Sequence, residues 1–303
     1  MSQIINNKSE ILFIYDIENA NPNGDPLNEN RPRFDNDTST VLVSDVRLKR
    51  TIRDYWFEYK GYNGKNDKDI FIREIIDDEG NVYDGKTRAK DFKSDKDIVI
   101  NKCIDIRVFG GVLPLENDSI TFTGPTQFQM GRSLNKTEIL TEQGTGAFAS
   151  SEGKAQKAFR TEYKVPYAII GFNGIINDKA AKYSKMTEED KELLLEGLWE
   201  GTKNLISRSK YGQTPLLLLT IDYNESFYIG NLRQKIKLIT DKNEKEIRSV
   251  NEYKLDLSEI FNEIKSIKNK IKRIYIKKDD RLVILNNNQV LKIINNEINI
   301  NEI

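Results

Sequence analysis

Short apolar runs, with two amphipathic helices set between them, constrain the fold of this chain more than any other feature. Ile11-Leu12-Phe13-Ile14-Tyr15 and Leu216-Leu217-Leu218-Leu219-Thr220-Ile221 are too short for buried helices and suit central strands. After the first run, Ser44 stands as an N-cap before Asp45, and Leu48, Ile52, Tyr55 and Trp56 recur at helical spacing. Before the second run, Thr187-Glu188-Glu189-Asp190 opens a helix with a capping box and acids at its positive end. Leu194, Leu198 and Leu205, with Leu195, Trp199 and Ile206, line its apolar side.

Between these helices, Cys103–Val108 and Ser119–Met130 are predicted strands joined through Gly110-Gly111, and Val165–Phe172 returns to strand character. The coarse order is strand, helix, strand, strand, helix, strand. This α+β order is that of the split βαβ, ferredoxin-like fold, and also of the RNA-recognition motif. Two segments interrupt it. Residues 60–100 are rich in Asp, Lys and Gly and are expected to be an irregular insertion with little core; residues 131–163 carry scattered glycines and cations and are expected to project as an arm. The body then comprises about 10–59, 101–130 and 164–235, with an extension of 236–303 that includes a helix near Leu257–Ile267.

Composition narrows the chemistry. The 303 residues contain no histidine and one cysteine, Cys103. Triads using His, His-containing zinc sites, disulfides and multi-thiolate metal sites are therefore out of reach. Cys103 is expected to be a small buried hydrophobe. No apolar run approaches the ~18 residues that span a bilayer, and the N-terminus lacks a signal-peptide pattern, so a soluble, cytoplasmic chain is expected. Lys+Arg and Asp+Glu each total 47. Any nucleic-acid contact must therefore come from locally sorted charge.

The strongest local sorting is Arg47-Leu48-Lys49-Arg50-Thr51-Ile52-Arg53. At 100° per residue its four cations fall opposite the apolar stripe, downstream of a polar loop bearing Arg31 and Arg33. Such a face can pair with successive phosphates, while the helix N-terminus offers free N–H groups; a plain solvated face is the competing explanation. Asp35 and Asp37, with Asp25, could hold Mg²⁺ for phosphodiester cleavage, or serve as turn and cap residues. Gly110-Gly111 suits close approach of an RNA backbone or a tight turn. Phe128, in Thr123-Gly124-Pro125-Thr126-Gln127-Phe128, suits base stacking or the core. Ser207-Arg208-Ser209-Lys210 suits helix-dipole complementation or a phosphate contact. Lys265–Lys278 carries seven cations and no acid, and a solvated face is its default reading.

These motifs, in order, resemble one family. Asn19-Ala20-Asn21-Pro22-Asn23-Gly24-Asp25, Arg33-Phe34-Asp35 and Val43–Tyr55 look like the N-terminus of the backbone subunit (the seventh Cas protein family) of type I CRISPR Cascade complexes, most like the type I-B and I-C branch. Arg107–Gly111, Thr123–Phe128, Val165–Ala168, Ser207–Gly212 and Tyr228–Leu232 continue the resemblance to about residue 235. It implies a right-hand shape: a modified RNA-recognition-motif palm, fingers at 60–100 and a thumb at 131–163. It also implies a non-catalytic subunit, without cofactor or metal, that oligomerises along the CRISPR RNA (crRNA) spacer and leaves guide bases to pair with a target DNA strand. Further copies of itself, the large subunit, the subunit holding the five-prime handle and the guide-processing endonuclease are the implied partners. The RNA-binding residues are expected to be Asn21, Asn23, Arg31, Arg33, Ser44, Arg47, Lys49, Arg50, Arg53, Gly110, Gly111, Gln127, Arg132, Lys136, Arg208 and Lys210. Type III relatives cleave target RNA with a loop aspartate, which keeps open an alternative: a metal-dependent RNA endonuclease using Asp35 and Asp37.

Overall fold

A computed structural model describes residues 3–149, 157–291 and 293. The chain opens with β1 (Ser9–Ala20), whose Ile11–Tyr15 run is fully buried. Short ladders β2 (Gly24–Asp25) with β3 (Arg31–Pro32), and β4 (Phe34–Asp35) with β5 (Thr40–Val43), fill the loop that follows. Next come α1 (Asp45–Tyr59), α2 (Gly85–Lys90), α3 (Lys96–Lys102) and α4 (Ile104–Phe109). A hairpin of β6 (Gly110–Pro114) and β7 (Ser119–Thr123) leads to β8 (Thr126–Phe128), β9 (Gly131–Ser133), β10 (Leu140–Ala149) and the long β11 (Lys157–Ile176). Then follow α5 (Asp178–Ser184), α6 (Glu188–Lys203) and β12 (Gln213–Tyr223). The C-terminal part holds β13 (Lys237–Ile239), β14 (Lys254–Asp256), α7 (Ser258–Ser266), β15 (Ile271–Lys278), β16 (Ile284–Asn286) and β17 (Gln289–Val290).

The principal sheet is antiparallel and runs β15-β12-β1-β11-β9-β5-β4, with β8 and β10 also paired to β11. Side-chain alternation sends its two faces into different cores. Ile11, Phe13, Ile170 and Phe172 pack with α1 and α6 through Ile52, Trp56, Leu194 and Leu198. Leu12, Ile14, Tyr167, Ile169, Leu217 and Leu219 face the opposite way and meet Leu232, Tyr253, Phe261 and Ile264. The sheet is thus the middle of three layers, with the C-terminal residues as the third.

Both long helices start where the sequence places them, but α6 ends at Lys203, so Leu205 and Ile206 lie beyond it and Ile206 is exposed and not on its buried side. Ser44 Oγ accepts the Arg47 N–H at 3.2 Å, and Thr187 and Asp190 close a reciprocal capping box. The helix near 257–267 is α7. Elsewhere the structure departs from the pattern. Ile104–Phe109 is a helix and not a strand, with five of its six residues buried, so no amphipathic stripe marks it. The Ser119–Met130 strand breaks at Gly124-Pro125 into β7 and β8. The 60–100 insertion contributes Phe71, Ala89, Phe92, Val99 and Ile100 to a third core shared with Cys103, Ile106 and Leu113, so it is not poor in core. Cys103 is buried there, and burial pushes its thiol well above the usual range. Within 131–163, Ser133, Asn135 and Thr137 are buried against the body. The paired strands β10 and β11 begin only after them, and residues 150–156 of the expected arm lie outside the described residues.

Candidate nucleic-acid interface

The start of α1 is held by the asparagine loop before it. Asn23 Oδ1 accepts both the Ser44 N–H (2.8 Å) and the Ser44 hydroxyl (2.9 Å). Asn21 donates from Nδ2 to the Asn30 carbonyl at 2.7 Å and from its backbone to Ser209 O at 2.8 Å. Those bonds draw in the Ser207–Lys210 turn, distant in sequence, and the Lys210 ammonium donates to Asn21 O at 2.6 Å. Gly212 makes the approach possible: its φ is +106°, and a Cβ there would meet Glu18 O at 2.4 Å.

Arg47 and Lys210 share this locality, and no carboxylate among the described residues forms an ion pair with either. Arg47 donates to Thr51 Oγ1 at 3.0 Å, while its Nε is buried without a partner. Burial, and then the charge of Arg47, lower the Lys210 pKa to about 8. The Arg47 guanidinium is likewise lowered, chiefly by burial. A desolvated cation without a counter-ion is costly. Both cations lie beside the α1 N-terminus and the asparagine loop, where the one acid of the first helical turn, Asp45, is paired with Lys49.

The other expected contacts divide. Lys49 flanks the site, shared between Asp45 (3.0 Å) and Gln127 Oε1 (3.2 Å), and Arg50 is half-exposed against Asp54 (2.6 Å). Arg31 stacks 4.4 Å from the Tyr163 ring centroid, and Arg33 lies 3.4 Å from Asp25. Arg208 is exposed, 2.7 Å from Glu162, and Lys136 is exposed, its backbone N–H bonded to Glu244 at 2.7 Å.

Arg53 is not on the solvent face. It is buried 3.0 Å from Asp105, a carboxylate with no exposed surface that also accepts the Phe71 and Ile72 N–H groups. The helix wheel places Arg53 opposite the apolar stripe, but α4 and the insertion pack on that side too. Gly110 and Gly111 likewise serve the chain itself. Gly110 has φ +72° and a Cβ there would meet Phe122 O at 2.2 Å, while one at Gly111 would meet Ile106 Cδ1 at 2.8 Å. The close backbone approach is that of β6 to β7. Phe128 belongs to the core.

Asp35 accepts the Asp37 and Thr38 N–H groups and pairs with Arg132 at 2.6 Å. Arg132 and Thr38 lower its pKa to about 2. This is turn and cap chemistry, and among the described residues no three metal-ligating side chains of the His, Cys, Asp or Glu type cluster. One cation escaped the sequence reading. Arg233 is half-buried, its guanidinium donates to the Met130 and Gly171 carbonyls (3.3 and 3.5 Å) with no carboxylate partner among the described residues, and its pKa is lowered by burial and by Arg132. It follows the Tyr228–Leu232 motif directly, which was its available signal.

Fold and site together define an α+β protein built on an antiparallel sheet, with buried cations beside the start of its first long helix. Two chains of solved assemblies share the fold. One belongs to a CRISPR RNA-guided surveillance complex in a pre-nicking state (TM-score 0.57, 10% identity, 90% of this chain and 93% of that one). The other belongs to a CRISPR RNA-guided surveillance complex (TM-score 0.52, 11% identity, 90% and 89%). The family model for CRISPR-associated protein Cas7 matches residues 7–258. The CRISPR-associated protein Cas7 of Haloferax volcanii is 31% identical over 307 residues, covering 91% of this chain and 88% of the relative. The chain belongs to the Cas7 family.

Proposed function

We propose that this chain is a guide-RNA-binding backbone subunit of a type I Cascade surveillance complex, repeated along the crRNA spacer. The observation that carries the reading is the pair of desolvated cations, Arg47 and Lys210, at the start of α1, neither in an ion pair with a carboxylate among the described residues. Lys49, Arg50 and Arg233 extend this track, with Asn21, Asn23 and Ser44 shaping the loop. Contacts of this kind read phosphates and not sequence, which suits a protein that leaves recognition to guide–target base pairing.

The β12-β1-β11 core with α1 and α6 on one face supports a palm of the RNA-recognition type. The insertion at 60–100 serves as the fingers and the β10–β11 hairpin as the thumb that meets the next copy. The subunit is non-catalytic, since Asp35 is committed to Arg132 and to its own turn. It works in the cytoplasm, with the target DNA strand, the large subunit, the handle-binding subunit and the guide-processing endonuclease as partners. No helix among the described residues is long and apolar enough to cross a membrane.

The test is the nucleic acid that copurifies with the full chain expressed beside its CRISPR array. Guide-length RNA protected from nuclease at regular intervals is expected. A nucleic-acid-free protein, or RNA with unpatterned protection, would overturn the proposal.

A further inference from the structure

In RNA-recognition folds the open sheet face stacks bases on its aromatics. Here most of that face is roofed by the C-terminal residues from Leu232 to Ile284. One corner escapes. Glu10 and Gln127 both pair with Ile175, and Leu12 pairs with Asn173, so these residues share the roofed face. Around Glu10, Gln127 and Asn173, with Gln129, Tyr228 and Asn231, lies a cavity of about 360 Å³.

Its chemistry is neutral and directional. Glu10 is spent on structure: it accepts the Tyr223 hydroxyl and the N–H groups of Ile229 and Gly230 (2.7 Å each), which pins the loop carrying Tyr228 and Asn231. The Arg233 N–H donates to Asn173 Oδ1 at 2.8 Å and so fixes that amide's orientation. Asn173 Nδ2 must then donate to Gln129 Oε1 (3.0 Å), and Gln129 Nε2 to Asn231 Oδ1 (3.2 Å). The relay ends with the Asn231 NH₂ as its terminal donor. Tyr228, half-exposed, lines the same cavity, with the Lys8 ammonium 5.1 Å from its ring centroid. Gln127 also accepts from Lys49, which joins the corner to the phosphate track on α1.

We infer that this corner is a nucleobase subsite: one base of the bound RNA stacks on Tyr228 while the Asn231 amide donates to an acceptor on its edge. All four bases carry such an acceptor, so a fixed donor holds a base without selecting it. The inference rests on the RNA-binding reading above and deepens it.

The full chain is titrated with single-stranded RNAs carrying 2-aminopurine at successive positions. The expected result is fluorescence quenching confined to one register, or to a regular series where copies assemble. Tyr228→Ala should abolish that quenching and weaken binding at least about fivefold, the lower bound for loss of a base–aromatic stack, without changing the salt slope. Tyr228→Phe should restore the quenching, and Asn231→Ala should reduce affinity. An RNA abasic at the quenched position should bind wild type and Tyr228→Ala alike. Quenching that survives Tyr228→Ala, or an abasic RNA that still separates the two proteins, overturns the subsite. So does a Tyr228→Ala defect in self-association without RNA, which would make the corner a protein-docking surface. Arg47→Ala run in parallel keeps the two claims apart. Loss of salt slope in Arg47→Ala with unchanged quenching in Tyr228→Ala sinks only the subsite, while an unaltered slope in Arg47→Ala sinks the phosphate track.

Discussion

Replacing Arg53 with alanine separates a structural cation from an RNA-binding one. Arg53 and Asp105 form a buried pair, and the guanidinium also lies 5.2 Å from the Phe109 ring centroid. Removing one partner of such a pair leaves a buried charge and costs about 3–5 kcal/mol. Asp105 keeps two backbone N–H donors, from Phe71 and Ile72, so the lower end, about 3 kcal/mol, is expected. That corresponds to a melting temperature lowered by roughly 5–10 °C. Asp105→Asn added to Arg53→Met should cost less than the sum of the two single changes, since the residues are coupled. Urea and thermal unfolding measure the stability, and fluorescence anisotropy with single-stranded RNA measures binding below the lowered melting point. RNA affinity and its salt dependence should stay at the wild-type level. A variant that melts like wild type, yet binds RNA weakly with a flattened salt slope, would refute the reasoning and return Arg53 to the phosphate face.

Lys210 should make RNA binding depend on pH. Its free-protein pKa of about 8 must rise when a phosphate stabilises the ammonium, so affinity should be level below about pH 7 and fall as pH climbs through about 8, and Lys210→Met should remove the fall. Without RNA the sign reverses for stability: between about 8 and about 10.4 the unfolded chain holds more protons, so the free fold should gain stability with rising pH, as urea midpoints would record. Burial raises the Asp16 pKa to about 6, so between about 4 and 6 the folded state holds more protons and stability should fall as pH rises; Asp16→Asn should flatten that dependence, and an unchanged slope would contradict the assignment. Replacing residues 138–160 with a short Gly/Ser link should leave a folded monomer that binds RNA but forms no ordered multi-copy assembly by electron microscopy, whereas an unfolded product would place that segment in the core.

Local pattern made part of this legible. The stripe Leu48, Ile52, Tyr55 and Trp56 and the Thr187–Asp190 box identify α1 and α6 because each helix buries one face and caps its own end. The strand reading of Cys103–Val108 failed because Ile104, Ile106 and Val108 alternate with β-branched character, while in space α4 is enclosed on nearly every side. The insertion misled for a related reason. Its core hangs on scattered residues and on a buried Arg88–Asp69 pair at 2.7 Å, which reads as surface polarity in one dimension. Arg53 and Arg47 differ by a partner that lies outside their own helix. Only tertiary structure reveals that Asp105 forms an ion pair with one, while among the described residues no carboxylate forms an ion pair with the other.

The central claim is that Arg47 and Lys210 hold RNA by its phosphates. The salt dependence of binding, measured for wild type, Arg47→Ala and Arg47→Ala/Lys210→Met on several unrelated single-stranded RNAs, tests it most directly. Each lost contact should flatten the log–log slope by roughly 0.7, so by about 1.4 for the double variant, and equally for every sequence. An unchanged slope in a folded double variant, or a loss confined to particular sequences, would contradict the account.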